Sequence, residues 1–376
     1  MFRNSLIVIF ISFLVFACSN KNESKEDLSS IESTEFAKGF TIKKIGASTE
    51  VTLLEPYPNS STVITYLLVP KDEEIPPHGT DVSVIRTPIE SIVCTSTSHI
   101  ALLDHLNALD KLVGFPSTDL ISSSKARQRI DSGYVTDLGI DNAMNIESLV
   151  GLQPDLVMGY SIAGDMSKLD KIKSFGIPVV INAEFLENHP LGRAEWIKYM
   201  ALFLGKEDKA DSIFAAIKNE YLSNLRVVEN INTKPTVISG ILYGDAWFLP
   251  GGQNYGAKIF SDAGYRYLWD DDTSNGFLKL SFETVLSIGK EADYWIGVGN
   301  FKSKEEMKSS EGRYTLFKSF ERSSVYTYDA RVGAMGGSEY LELGYSRPDI
   351  ILKDLIKIAH PELLPDYTLY FHKKLD

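Results

Sequence analysis

PLGRAEWIKYMALFLGKEDKADSIFAAIKNEYLSNLR, running from Pro190 to Arg226, is the stretch on which the fold turns. After Pro190 it contains no further proline. Its second half sets Ala210, Ile213, Phe214, Ile217 and Tyr221 at the i, i+3, i+4, i+7 spacing of one buried helical stripe. In the first half Trp196, Ile197, Tyr199, Met200, Leu202, Phe203 and Leu204 nearly encircle the axis, so that half should be covered on most sides. Gly205 is the one expected break or kink. Roughly 35 residues rising about 1.5 Å each make a rod of about 50 Å, longer than one small domain needs. A single core helix would suit one domain. A strut over residues 190–232 joining two lobes suits the flanks better.

Each flank carries its own α/β set. In residues 86–189, strands are expected at Ser91-Ile92-Val93-Cys94, Leu112-Val113-Gly114-Phe115, Pro154 to Gly159 and Ile177 to Ile181, with helices between them. In residues 233–376 the order repeats, from the strand Thr236-Val237-Ile238-Ser239 to a closing amphipathic helix that begins on Pro348 and ends before Pro361. Strand and helix alternating at this spacing predict doubly wound parallel sheets, so the fold class is α/β with two such lobes. Asn145-Ile-Glu147-Ser-Leu and Ser281-Phe-Glu283-Thr-Val echo one another. Each has a capping residue, a glutamate two positions on, an apolar helix, an aspartate (Asp155, Asp293) and a strand ending in glycine. Such internal similarity points to duplicated lobes. Ahead of them, alternating runs in residues 36–85 predict a small β extension and a linker.

The chain has 376 residues, 44% hydrophobic, and 38 basic against 50 acidic side chains give a net charge of −12. With no basic cluster, nucleic acid is not an expected partner. Residues 1–17 have a positive start and a twelve-residue apolar run from Leu6 to Ala17, too short to span a bilayer but suited to a signal-peptide core. The run ends Leu14-Val15-Phe16-Ala17-Cys18, which resembles a bacterial lipoprotein signal with Cys18 as the acylated residue. Several acyl chains, at about 0.8 kcal/mol per buried methylene, make a lasting membrane anchor. Residues 18–35 are polar and aperiodic and are expected to form a disordered tether. Cys94 is then the only other cysteine; with no disulfide available it should be a small buried hydrophobe.

No G-x-S-x-G, G-x-x-x-x-G-K or H-E-x-x-H motif is present. His99 and His105 lie six apart, about 600° of helical turn, so they do not share a face. His99, just after a strand end, is the one histidine placed to matter, although a polar helix-start role explains it as well. Ligands of doubly wound sheets bind outside the carboxyl ends of strands. There the sequence puts Ser117, Tyr160 and Phe185 in the first lobe. In the second it puts Tyr243, Trp247 and Phe248, the Gly251-Gly252 pair, Asn300 and Arg331. Facing lobes lined in this way suit a bulky, partly apolar ligand, with Trp247 expected in the cleft. Glu147 and Glu283, one per lobe in a helical first turn, favour the helix dipole, and as a pair they offer two acidic points to a basic partner.

These segments, with Pro190-Leu-Gly-Arg-Ala-Glu-Trp, Trp247-Phe-Leu-Pro-Gly-Gly, Leu280-Ser-Phe-Glu283 and Arg347-Pro-Asp, resemble ABC-transporter substrate-binding lipoproteins of the iron-siderophore/cobalamin class, in the form common among Bacteroidetes. The resemblance implies two lobes joined by one long helix with little bending on binding. It also implies docking of Glu147 and Glu283 on arginines of the permease, and ATP use by separate subunits. The loop that faces the cleft in that family is here Thr95-Ser96-Thr97-Ser98-His99, a departure from the family's Pro-Ser-x-Thr-Glu. The expectation is therefore a monomeric, periplasmic, membrane-anchored receptor without cofactor or resident metal. It would take a ferric siderophore first and a corrinoid second. A bare metal-ion receptor and an exported hydrolase or lyase with His99 as base are the rivals.

Overall fold

A computed structural model describes residues 31–376 apart from Ser33. The expected signal peptide, residues 1–17, and the expected acylation site Cys18 lie outside the described residues. In the N-terminal lobe five parallel strands run in the order Val179–Ile181, Leu156–Gly159, Ile92–Cys94, Leu112–Phe115, Thr136–Asp137. In the C-terminal lobe the order is Arg266–Tyr267, Thr236–Ser239, Tyr294–Ile296, Val325–Thr327, all parallel, with Lys373–Lys374 added antiparallel at the edge. Ile92–Cys94, Leu156–Gly159 and Val179–Ile181 in the first sheet, and Thr236–Ser239 and Tyr294–Ile296 in the second, are buried runs of the kind helices cover on two faces. The two-lobed α/β architecture read from the sequence is the one observed.

The two lobes share more than strand order. Asp155 Oδ2 accepts the Ser91 N–H at 3.2 Å while Ser91 Oγ accepts the Asp155 N–H at 2.9 Å. In the second lobe Asp293 and Thr236 make the same exchange, at 2.9 and 3.0 Å. Each echoed aspartate thus pins the start of the strand beside its own.

The connection between lobes differs from a single rod. Two helices, Pro190–Leu204 and Glu207–Val227, meet at Gly205, whose φ of 62° ends the first in the left-handed region. That conformation is cheap for glycine and lets the chain reverse. The helices fold back on each other: the His189 and Tyr221 rings are 6.5 Å apart, and Lys198 Nζ lies 3.3 Å from Asp211 Oδ1. On one straight helix His189 and Tyr221 would be about 48 Å apart. The second helix alone carries the chain across, burying Ala210, Phe214, Ile217 and Tyr221 of the expected stripe. The first is buried at every position but Lys198, as its all-round apolar character requires.

The N-terminal extension is a five-stranded sheet, with Ser83–Thr87 parallel to Ile64–Pro70. Two carboxylates of the crossover region hold it down. Glu195, fully buried, accepts the N–H groups of Glu35, Phe36 and Ala37, and Glu187 accepts those of Lys38 and Gly39. Ile31, Glu32 and Glu35, assigned to a tether from their polarity, are therefore part of the fold; Ile31–Glu32 pairs with Phe40–Ile45. Composition missed this because the partners of that segment lie some 160 residues away.

Candidate ligand cleft

In the C-terminal sheet the chain goes from Thr236–Ser239 to one side and returns on the other at Tyr294–Ile296, a topological switch point of the kind where ligands bind. A cavity of about 570 Å³ opens there, within the usual range for a small-molecule site. Ser239, Gly240, Ile296 and Gly297 form its floor at the strand ends. Tyr243, Phe248 and Phe277 come from a three-stranded antiparallel sheet, Ile241–Tyr243, Ala246–Pro250 and Phe277–Leu280, that the sequence did not reveal. Tyr255, Tyr328, Tyr340 and Tyr345 complete an aromatic wall, in which Tyr328 and Tyr340 stack at 4.8 Å.

One cation faces these rings. Arg193, in the first turn of Pro190–Leu204, stacks over Tyr255 at 4.0 Å and Tyr345 at 4.8 Å. Its Nε and Nη2 donate to the carbonyls of Glu187 (3.0 Å) and Phe185 (2.8 Å), which fixes the guanidinium against the cavity. The Tyr255 hydroxyl is buried beside it with no partner among the described residues, and burial pushes that phenol up. A fixed guanidinium and an unpartnered hydroxyl in an aromatic pocket suit an anionic group on an otherwise bulky ligand.

The sequence-selected residues divide. Tyr243 and Phe248 line the cavity. Phe185 and Tyr160 are not on the cavity wall: the Phe185 carbonyl holds Arg193, and its ring meets Tyr160 edge-on at 6.4 Å. Trp247 is corrected: it is fully buried, stacked on Trp295 at 5.2 Å, and donates Nε1–H to the Ser239 carbonyl at 2.9 Å. Strand alternation explains this, since Trp247 and Phe248 are neighbours and only one can face outward. His99 is also corrected. It is fully buried, neither ring nitrogen has a partner among the described residues, and burial lowers it to about 3. A neutral, inaccessible imidazole is neither a cleft ligand nor a base.

Ser98 is buried and donates to Glu184, while Ser96 and Thr97 are half-buried and absent from the cavity wall. Ser117, at φ 55°, bonds through its N–H to the Gly139 carbonyl at 2.7 Å. Gly252 opens onto a second, more polar hollow with His189 and Lys258. Asn300 and Arg331 are exposed outside the cavity, Arg331 lying over Tyr370 at 4.1 Å. Among the described residues no three His, Cys, Asp or Glu side chains converge to hold a metal ion. Sequence reasoning missed Arg193 and the tyrosines. An arginine within an otherwise apolar turn was the available signal for the first, and nothing marked the second.

Glu147 and Glu283 both sit exposed at the second position of their helices, Ile146–Leu152 and Phe282–Gly289. The caps correspond as well: Asn145 accepts the Ser148 N–H at 2.9 Å and Ser281 the Thr284 N–H at 3.1 Å. Glu283 is paired with Arg313 at 3.0 Å.

Known proteins fit this geometry. An uncharacterized lipoprotein of Methanocaldococcus jannaschii is 26% identical over 323 residues, covering 82% of this chain and 75% of its own. The structure is similar to Helicobacter pylori CeuE with Ni(II) bound (TM-score 0.58, 19% identity, 76% of this chain and 88% of that one). It is also similar to a periplasmic heme-binding protein from Pseudomonas aeruginosa (TM-score 0.57, 16% identity, 77% and 98%). The profile of one family matches residues 92–332, most of both lobes and the whole crossover. With that match, the paired sheets and the switch-point cavity, the chain belongs to the periplasmic binding protein family.

Proposed function

We propose that this chain is a lipid-anchored receptor of an ABC importer, one that captures a ferric-siderophore-type iron complex beside its crossover helices and delivers it to the permease. The observation that carries the reading is Arg193, locked by two carbonyls and stacked on Tyr255 and Tyr345 in an aromatic cavity. Such a wall takes the flat or bulky organic shell of a chelate, and the guanidinium takes its residual negative charge. Metal-bearing ligands among the structural neighbours, Ni(II) in one and heme in another, support the class. A naked ion is disfavoured because its donor set is lacking among the described residues. Catalysis by His99 is disfavoured by its burial.

Anchoring at Cys18, a periplasmic location and docking through Glu147 and Glu283 belong to the same reading. Lipoprotein relatives support the first. No helix among the described residues is long and apolar enough to cross a membrane. The test is mass spectrometry of whatever small molecule copurifies, followed by tryptophan-fluorescence titration with ferric chelates, cobalamin and free ferric ion. Saturable quenching by a ferric chelate without turnover is expected. Tight binding of cobalamin alone would transfer the assignment to a corrinoid, and stoichiometric binding of free metal without an organic ligand would end it.

A further inference from the structure

The second hollow, about 640 Å³, lies where three parts of the chain meet: the N-terminal extension, the crossover, and the loop that leads into helix Tyr255–Asp262. The family profile begins at residue 92, so the wall supplied by Phe36, Lys38, Leu54, Glu55 and Ser60 stands outside the matched span. Glu187 also lines the hollow, with only 5% of its surface exposed. Its Oε1 accepts the N–H groups of Lys38 and Gly39, each at 2.8 Å, and the Trp196 indole N–H at 3.1 Å. Its Oε2 has no hydrogen-bond partner among the described residues. A carboxylate oxygen so far buried without a donor is costly, which points to a donor that arrives with a ligand. Three amides share the wall, those of Asn188, Gln253 and Asn275. Main-chain bonds hold the last two in place: the Gln253 N–H donates to the Ser274 carbonyl at 2.9 Å, and the Asn275 carbonyl accepts from Asn254 at 3.0 Å. Their exposed side-chain amides have no partner among the described residues.

An amide both donates and accepts, and a carboxylate oxygen accepts, so together they match hydroxyl groups, which do both. The same wall has apolar members: Leu54, Leu186 and the half-buried Phe36 ring, which is backed by His189 at 4.9 Å. A sugar ring presents hydroxyls at its edge and C–H groups on its face, and this wall has a partner for each. Charge does not select here. Lys38 and Lys258 stand against Glu55, Glu187 and Asp270, and Lys258 is already paired with Asp262. We propose that the hollow is a second binding site, separate from the cleft, for a neutral saccharide. Glu187 Oε2 and the amides of Asn188, Gln253 and Asn275 take its hydroxyls, and Phe36 takes the face of a ring. The site does not depend on what the cleft holds.

The probes are the neutral disaccharides maltose, cellobiose, lactose and chitobiose, titrated by calorimetry up to millimolar concentration into the full-length protein. Saturable binding of at least one is expected. Gln253→Ala with Asn275→Ala should weaken it about tenfold, as the loss of two ordinary hydrogen bonds would. Hydrogen exchange with that sugar present should slow over residues 36–39, 186–189 and 252–258 and stay unchanged over residues 340–345 of the cleft. That pattern is read on the wild type and needs no folded variant. Binding of none of the disaccharides overturns the proposal, and so does equal affinity in the double variant. Protection confined to the cleft overturns it as well. Stronger protection of the three segments by glucuronate or spermidine than by any disaccharide would also overturn it, because the hollow would then select by charge. Failure on any of these counts leaves the receptor reading untouched, since no chelate enters the measurement.

Discussion

Glu342 of the C-terminal lobe accepts the main-chain N–H of Ser122 in the N-terminal lobe at 2.6 Å, and that of Ser123 at 2.9 Å through its other oxygen. The turn before it makes the approach possible. A side chain at Gly337 would begin 2.1 Å from the Leu120 carbonyl, so only glycine lets the two lobes meet there. Tyr340 and Leu341, on the same short helix Glu339–Leu343, line the ligand cavity. The contact between lobes and the wall of the cleft are thus one element.

This contact should depend on pH. Burial pushes the Glu342 carboxyl from 4.5 up to about 7, although the Ser122 and Ser123 donors favour the charged form. Folded protein therefore holds the proton more tightly than unfolded chain. The contribution is fully present below about pH 4.5 and is lost as pH rises through 7. Its ceiling is roughly 3 kcal/mol, since each tenfold gain in proton affinity contributes about 1.4 kcal/mol. Urea unfolding from pH 4.5 to 8 should show a decline in this window that Glu342→Gln flattens. An unchanged slope in the variant would assign the decline elsewhere.

Trp247 and Phe248, adjacent in one strand, should separate stability from binding. Trp247→Ala empties the space between Trp295, Tyr314, Phe282 and Phe317 and should cost about 3–5 kcal/mol. Phe248→Ala removes a cavity-facing ring and should weaken chelate binding with a smaller loss of stability. Chemical unfolding and fluorescence titration of the pair measure both. Weakened binding in folded Trp247→Ala at unchanged stability would restore the residue to the cleft.

Arg193→Met should reduce affinity for an anionic chelate by about tenfold or more, as expected when one partner of a buried charged contact is removed. A neutral complex of similar size should be far less affected. Equal losses for both ligands would mean that Arg193 shapes the cavity without recognising charge.

Much of the fold is legible in the sequence because it is written in short-range periodicity. The stripe from Ala210 to Tyr221, the strands ending at Cys94 and Ser239, and the duplicated caps at Asn145 and Ser281 are local signals, and they are found where their spacing puts them. What escapes is non-local. Gly205 reads as a kink, but only the packing of His189 against Tyr221 makes it a reversal. Trp247 and His99 lie near strand ends, yet strand alternation and helix facing turn them inward. Arg193, Tyr255, Tyr345 and His372 meet from positions up to 179 residues apart, and no local pattern announces a pocket assembled over such distances.

The two echoed glutamates differ in a way that their matching sequences do not show. Glu147 has no ion-pair partner among the described residues, whereas Arg313 contacts Glu283 at 3.0 Å and is itself shared with Glu311 at 2.8 Å and the Phe282 ring at 4.1 Å. Glu283 and Arg313 are largely exposed, so the pair is screened and exchanges readily with a stronger partner. Exposed charges at a rim act on association rate and register more than on stability. Glu147→Ala with Glu283→Ala should therefore leave chelate affinity within about twofold and cut uptake into cells or proteoliposomes containing the cognate permease. Arg313→Ala should speed docking by freeing Glu283, a change visible as a higher association rate at low salt that fades as salt is raised. Reduced chelate affinity in the double variant would move these glutamates from docking to binding. Full uptake in the double variant would leave them as helix-dipole partners alone.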